Sequence, residues 1–355
     1  MANESTAVPP LTEAQLLDLG TRAFRGLGLP EADAAQVARV LVTADLFGLS
    51  THGLSRVESY GERLTLGGIN PRAQVRVESV APAMCRVDGD NAVGPVVGMR
   101  ALEAAMQCAR QCGVGVALAR GSNHFGPISP YGLIAAEAGF ASIIGSNATT
   151  TIAPWGGSDA RLGNSPIGFG VPNPGGDPFL LDMAMSVVAR AKIRSALKQD
   201  KAIPETWATD AQGKPTTDPA AALDGFLLPI GGHKGYGLAL MVDLFAGLLS
   251  DAAYLTHVKS WSDAPEEPQN LGHFFILINT RLLGSTEWLA QRMRDFAAIL
   301  HDSPPADPKS PVIVPGEIEL NKMRQHQRDG LVLDATTYQL LNQYAQRHDS
   351  GAAHP

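Results

Sequence analysis

Gly231-Gly232-His233-Lys234-Gly235-Tyr236-Gly237, running straight into the apolar stretch Leu238 to Leu249, is the segment on which the fold turns. Its glycines expose consecutive backbone N–H groups at the start of the following helix, and Lys234 adds a positive charge. The block therefore reads as an anion site, of the kind that takes a phosphate. A glycine-rich helix entry with a solvated lysine accounts for the same residues without a ligand. The spacing is not Gly-x4-Gly-Lys-Ser/Thr, so the block is no P-loop. No Gly-x-Gly-x-x-Gly follows a strand and opens a helix, so the usual dinucleotide fingerprint is absent as well.

Two more glycine-flanked histidine blocks lie upstream, Thr51-His52-Gly53 and Ser122-Asn123-His124-Phe125-Gly126. His52 and Arg56 are four residues apart, so one helical turn brings an imidazole and a guanidinium to the same face. Imidazole exchanges a proton near neutral pH and the guanidinium fork holds a carboxylate in two hydrogen bonds, a pair suited to a small carboxylate substrate. A surface charge cluster at a helix end is the competing reading. His124 follows the strand-like GVALAR, where α/β proteins place functional loops, although a core histidine satisfied by Asn123 is the alternative. Asp182 closes the apolar run PFLLD and needs a partner, which a histidine, a ribose hydroxyl or a backbone amide would supply.

Around these blocks the pattern alternates helix and strand. Thr12 and Gln15 form a capping-box signature, and Pro30 to Phe47 is a helix with Glu31 and Asp33 at its start, ending at Gly48. Strands are expected in VRVESV and MCRVD, then a helix from Pro95 to Gly113. From Gly113 to about Ala191, GVGVALAR, FASIIGSN, SPIGFGVPN and PFLLDMAMS read as strands buried on both faces, with a helix at Tyr131 to Ala138. This favours a layered α/β or α+β body. Ile193 to Asp218 reads as an exposed excursion, Leu238 to Leu249 as a buried helix, GHFFILIN as a strand and TEWLAQRMRDFAAILHDS as an amphipathic helix. PVIVPGEIE is expected to be an extended arm, Ala335 to Arg347 a last helix, and GAAHP a frayed end.

With 355 residues, 45% of them hydrophobic, the chain can bury a large core, and its length suggests about two domains. A net charge of −7 without any basic run argues against a nucleic-acid surface. No apolar stretch reaches the ~20 residues that span a bilayer, and the lead MANESTAVPPLTEAQ has neither a basic nor an apolar region of a signal peptide. A cytoplasmic protein with a disordered lead is expected. Cys85, Cys108 and Cys112 build neither a disulfide framework nor a four-ligand zinc site, and read as packing residues.

Taken in order, the blocks match a known family. They are Ala44-Asp45-Leu46-Phe47-Gly48-Leu49-Ser50-Thr51-His52-Gly53 with Arg56 and Tyr60, Ser122 to Gly126, Ala153-Pro154-Trp155-Gly156-Gly157, Gly163-Asn164-Ser165-Pro166, Asp182-Met183-Ala184, Gly232 to Leu238, Asn270-Leu271-Gly272-His273-Phe274-Phe275 and Pro315-Gly316-Glu317. Any one is weak. The set, over residues about 12 to 345, resembles the malate/L-lactate dehydrogenase-like family, the non-Rossmann NAD(P)-dependent 2-hydroxyacid dehydrogenases. Sulfolactate, ureidoglycolate and diketogulonate oxidoreductases and cyclic-imine carboxylate reductases belong to it.

The resemblance implies a mixed α/β, non-Rossmann fold, with a mixed-sheet cofactor domain at 119–228 inserted in a mainly helical substrate and dimerisation domain formed by 1–118 and 229–355. It implies a homodimer using NAD(H) or NADP(H) on a small carboxylate substrate. His52 or His124 would handle the proton, Arg56 and Thr51 the substrate, and His124, Asp182, Met183, Ala184, His233, Lys234, Gly316 and Glu317 the cofactor. Three positions depart from the family's habit: Thr51 replaces a commoner serine, Asn164-Ser165 a frequent Thr-Asn, and Asp251 a usual glycine. The expected reaction is hydride transfer to C2 of a 2-oxo acid of the malate, lactate or sulfolactate type, or of a cyclic imino acid such as piperideine- or pyrroline-2-carboxylate. Two other classes compete: a metal-dependent hydrolase built on His52, His124, Asp182 and His233, which lacks any short-range ligand pair, and a non-catalytic binding protein.

Overall fold

In the computed structural model residues 8–349 are described; the start of the expected disordered lead and the GAAHP end lie outside the described residues. The first helix, α1 (Glu13–Gly26), starts at the capping box expected there: the Gln15 N–H donates to Thr12 Oγ1 (3.3 Å), and the Thr12 N–H to Gln15 Oε1 (2.9 Å). Helix α2 (Glu31–Leu46) ends as Gly48 turns to φ +78°. Two short 3-10 turns, Ser50–His52 and Leu54–Arg56, then lead into α3 (Val57–Leu66). Leucines and alanines of α1 and α2 pack with α3 and the C-terminal helix into one all-helical core, with Phe24 and Tyr60 at its centre.

The rest of the chain builds one mixed sheet. Strands β1 (Arg76–Ala81) and β2 (Met84–Asp88) form a hairpin; α4 (Gly94–Cys112) crosses over to β3 (Val114–Ser122), parallel to β2. Helix α5 (Ser129–Glu137) is followed by β4 (Phe140–Ser146), the small pair β5 (Thr150–Ile152) and β6 (Leu162–Gly163), then β7 (Ile167–Val171) and β8 (Phe179–Met183). After α6 (Arg190–Lys198), α7 (Pro219–Asp224), α8 (His233–Asp243) and a π-helical turn at Leu244–Leu248, strand β9 (Leu271–Asn279) enters between β3 and β4. Helices α9 (Thr286–His301), α10 (Glu317–Asp329) and α11 (Ala335–Asp349) complete the chain. The order β1-β2-β3-β9-β4-β7-β8, with every pairing except β2–β3 antiparallel, brings the C-terminal ends of β3, β4 and β8 and the N-terminal end of β9 to one edge. Loops leaving that edge carry the site.

Three expectations need correction. The 193–218 segment is not simply an exposed excursion: α6 opens it, and Ile193, Ile203 and Ala208 are buried in a core with β6 and α8. Its polar residues mask the few apolar ones that turn into that core; only the Thr209–Pro215 turn stands out as expected, with Asp210 Oδ1 accepting from the Gln212 and Lys214 N–H groups. The Leu238–Leu249 helix is buried on one face only, since Leu238, Leu244, Leu248 and Leu249 are 44–50% exposed. Finally, the arm ending in GEIE turns helical at Glu317, because Gly316 takes the left-handed φ of +103° that starts α10. Acids at Glu317 and Glu319 in a first turn were the signal for that helix.

Candidate active site

A cavity of about 540 Å³ opens at this sheet edge, walled by Leu49, His52, His124, Asn164, Asp182 and Ala184 on one side and by Trp261, Gln269 and the 313–319 arm on the other. His52 reaches it from the first of the two 3-10 turns, and Arg56 ends the second. Those turns are fastened from below: the buried Asp45 on α2 accepts the Leu54 N–H at 2.7 Å, and the Gly53 Cα lies so close to that carboxylate that a Cβ would fall 1.9 Å from Asp45 Oδ1. Burial raises the Asp45 carboxyl to about 7. Thr51 Oγ1 lies 3.0 Å from His52 Nδ1, and the Thr51 carbonyl accepts from Arg56 Nε at 2.8 Å, leaving the Nη groups of Arg56 for another acceptor.

His124 follows β3. Its backbone carbonyl packs on Gly94, where a Cβ would stand 2.2 Å from it. Tyr60 Oη lies 2.9 Å from that carbonyl and 2.8 Å from His124 Nδ1. A carbonyl only accepts, so the phenol proton goes to it, and Nδ1 must then donate to the phenol oxygen. Nε2 is left as a lone pair. The rings of His52 and His124 are 5.6 Å apart. Burial, then the Arg56 charge, lowers His52 to about 4; the same causes, with His52 and His273 added, hold His124 well below the ordinary histidine value. Two neutral imidazoles therefore face one cavity beside a guanidinium.

His273, quoted above only within a motif, lies fully buried behind the cavity-lining Ser146 and Phe125. On β9 it lies 2.9 Å from Ser146 Oγ and 2.7 Å from Ser122 Oγ, stacks on Phe125 with centroids 4.1 Å apart, and is pushed down to about 3 by burial. Trp261, which carried no sequence signal, packs its ring 5.6 Å from His124 and 5.5 Å from Tyr60.

The remaining expected residues divide. Asp182 lines the cavity, and its Oδ2 accepts the Ile128 and Ser129 N–H groups (2.7 and 2.8 Å), the backbone-amide option among its expected partners. Burial raises its carboxyl. Ala184 and Gly316 also line the cavity, whereas Met183 packs into the neighbouring core. His233 and Lys234 are exposed at the start of α8, His233 edge-on to Trp155 at 5.8 Å, and neither belongs to the cavity wall. The Glu317 carboxylate turns away, taking the Val314 N–H (3.0 Å) and His301 Nε2 (2.8 Å). Of the departures, Thr51 keeps the hydroxyl beside His52 and Asn164 lines the cavity. Asp251 accepts a left-handed φ of +61° while pairing with Arg120.

The chain was compared with known families and structures. The malate/L-lactate dehydrogenase model matches residues 11–342. The chain belongs to that family. It is 39% identical over 321 residues to L-sulfolactate dehydrogenase of Methanocaldococcus jannaschii, covering 90% of this chain and 92% of that one. It is 36% identical over 314 residues to the NAD(+) ureidoglycolate dehydrogenase of Escherichia coli, covering 88% and 89%. The solved sulfolactate dehydrogenase of M. jannaschii superposes with a TM-score of 0.88 at 36% identity, over 96% of this chain and 98% of that one. The delta1-piperideine-2-carboxylate reductase of Pseudomonas syringae pvar. tomato does so with 0.85 at 29%, over 95% and 99%. The protein is thus an oxidoreductase of the dehydrogenase class on a mixed α/β fold.

Proposed function

We propose that this dehydrogenase moves a hydride between NAD(H) or NADP(H) and C2 of a small 2-hydroxy/2-oxo acid of the malate, lactate or sulfolactate type. The observation that carries the reading is the pairing of neutral His52 and His124 on one cavity wall, with the half-free Arg56 close enough for its charge to act on both. Arg56 Nη groups hold the substrate carboxylate, which sets the C2 oxygen against an imidazole. In the oxidative direction that imidazole takes the hydroxyl proton; in reduction it returns it. His52 is our first choice for this role. His124, with its Nε2 lone pair fixed by Tyr60, is the rival.

Bound nicotinamide would supply the hydride acceptor. The cavity suits such a group: Thr151 Oγ1 and Gln269 Oε1 are buried polar atoms on its walls without a partner. Asp182, Met183, Ala184, His233, Lys234, Gly316 and Glu317 remain our proposed cofactor segment, with His233 and Lys234 reaching the phosphates from outside the cavity. We further propose the division into a terminal domain (1–118 and 229–355) and an inserted cofactor domain (119–228), a homodimer, and a cytoplasmic location. Among the described residues no three His, Cys, Asp or Glu side chains gather as a metal site, and the Asp182 oxygen is spent on backbone, so nothing favours the hydrolase. A panel of 2-oxo acids and cyclic imino acids, assayed with both reduced cofactors, tests the reading. Turnover of imino acids alone contradicts it.

A further inference from the structure

Arg56, at the N-cap of α3, and Tyr60 and Arg63 within it fall at helical spacing on one face. The first two serve the site directly. Arg63 does not touch it, yet it is the largest fully buried side chain among the described residues. Its Nη1 donates to the carbonyls of Trp261 (2.9 Å) and Ala264 (3.1 Å), its Nη2 to the carbonyl of Glu267, and its guanidinium carbon lies 4.6 Å over the Trp261 ring. Burying a guanidinium on three carbonyls and an indole is costly unless those partners are fixed.

The segment they belong to, 259–269, has no helix or strand but is closed on itself. Lys259 Nζ pairs with Glu267 Oε2 at 2.9 Å, and Gln269 Nε2 donates to the Lys259 carbonyl at 3.0 Å. Gly68 packs so tightly on Pro265 that a Cβ would lie 2.0 Å from its carbonyl oxygen. What this pinned loop delivers is Trp261, against His124 and on the cavity wall.

Arg56 fixes where the substrate carboxylate sits, and the two histidines fix where the C2 oxygen sits. The third substituent on C2 is then confined to the space the indole bounds. We propose that Trp261 is the specificity-determining wall of the substrate site, held by Arg63 as a positioning residue, and that it selects 2-oxo acids with a short unbranched C2 substituent over those with branched or aromatic ones. This rests on the 2-oxo acid reading above.

Wild type, Trp261→Phe, Trp261→Ala and Arg63→Lys are assayed with pyruvate, oxaloacetate, 2-oxoisovalerate and phenylpyruvate, with melting temperature and cofactor binding by fluorescence measured in parallel. Trp261→Ala should raise the ratio of kcat/KM for bulky over small acids by on the order of ten-fold or more, since a few methylene-sized volumes decide such ratios. Trp261→Phe should fall between. Arg63→Lys, which lacks the fork, should shift the ratio the same way, with cofactor affinity unchanged throughout. An unchanged ratio in Trp261→Ala, or a wild type that prefers the bulky acids, overturns the inference while leaving the reaction intact. A shifted ratio in Trp261→Ala with none in a folded Arg63→Lys overturns the role of Arg63. A wild type that reduces no 2-oxo acid with either cofactor overturns both the reaction and the wall.

Discussion

The proton chemistry rests on single residues whose environments fix their charge. With His52 held near 4 by burial and Arg56, oxidation meets a neutral base throughout the physiological range. Because kcat/KM reports the free enzyme, its acid limb for hydroxy-acid oxidation should lie clearly below the ordinary histidine value of 6.5, and Arg56→Met should move it upward by removing a like charge. A wild-type inflection at 6.5 would contradict the burial of both imidazoles. His52→Ala should lose roughly 10²–10⁴-fold in turnover at saturating cofactor; near-wild-type turnover there, with collapse in His124→Ala, transfers the role to His124. Asp45 shows the opposite sign. Its folded value of about 7 exceeds that of a free carboxyl, so the folded state binds the extra proton and stability falls as pH rises from about 4 to 7. Asp45→Asn, which can still accept the Leu54 N–H, should therefore gain on wild type with rising pH, on the order of 1–3 kcal/mol by pH 8. Parallel melting curves of the two proteins at pH 5 and pH 8 measure this difference, and an equal offset at both denies it.

At the scale of elements, much was legible because short-range chemistry decides it. Thr12 and Gln15 announce α1, Gly48 ends α2, and His52 with Arg56 falls on the turns that enter α3, all from side chains within four residues of one another. What sequence could not supply is long-range. Trp261 meets His124 from a loop whose carbonyls take the guanidinium of Arg63, about 200 positions earlier, and His273 comes to lie between Ser122 and Ser146 because β9 inserts between β3 and β4. The start of α8 is an intermediate case: its glycines and Lys234 give the proposed anion site, but that they lie outside the cavity wall was not legible. If that helix entry holds cofactor phosphate, Lys234→Ala should weaken NADH or NADPH binding by about 1.5–3 kcal/mol, the worth of one charge-assisted contact. Titration by nucleotide fluorescence gives the answer, and unchanged affinity removes Lys234 from the site.

The whole chain leaves more apolar surface uncovered than its cores require. Four clusters gather buried apolar side chains among the described residues, yet Leu238, Leu244, Leu248 and Leu249 line the outer side of α8 and its π-helical continuation at 44–50% exposure. Four half-exposed leucines in twelve residues are more than scattered single exposures, and apolar patches on protein surfaces mark association sites. Their inner neighbours Ala239, Val242 and Ala246 are fully buried, so the helix is anchored and its outer face is rigid enough to pair. Closed two-fold association is the commonest solution for such a face. We therefore expect sedimentation at assay concentration to give twice the 37.4 kDa chain mass. The double substitution Leu244→Glu with Leu248→Glu places two charges on adjacent turns of that patch and should yield monomers, because an unpaired carboxylate in an apolar interface is costly. Wild-type monomers with full activity would remove the homodimer from the proposal, and dimers that survive the double substitution would move the contact to another face, such as the Phe296 and Ile299 side of α9.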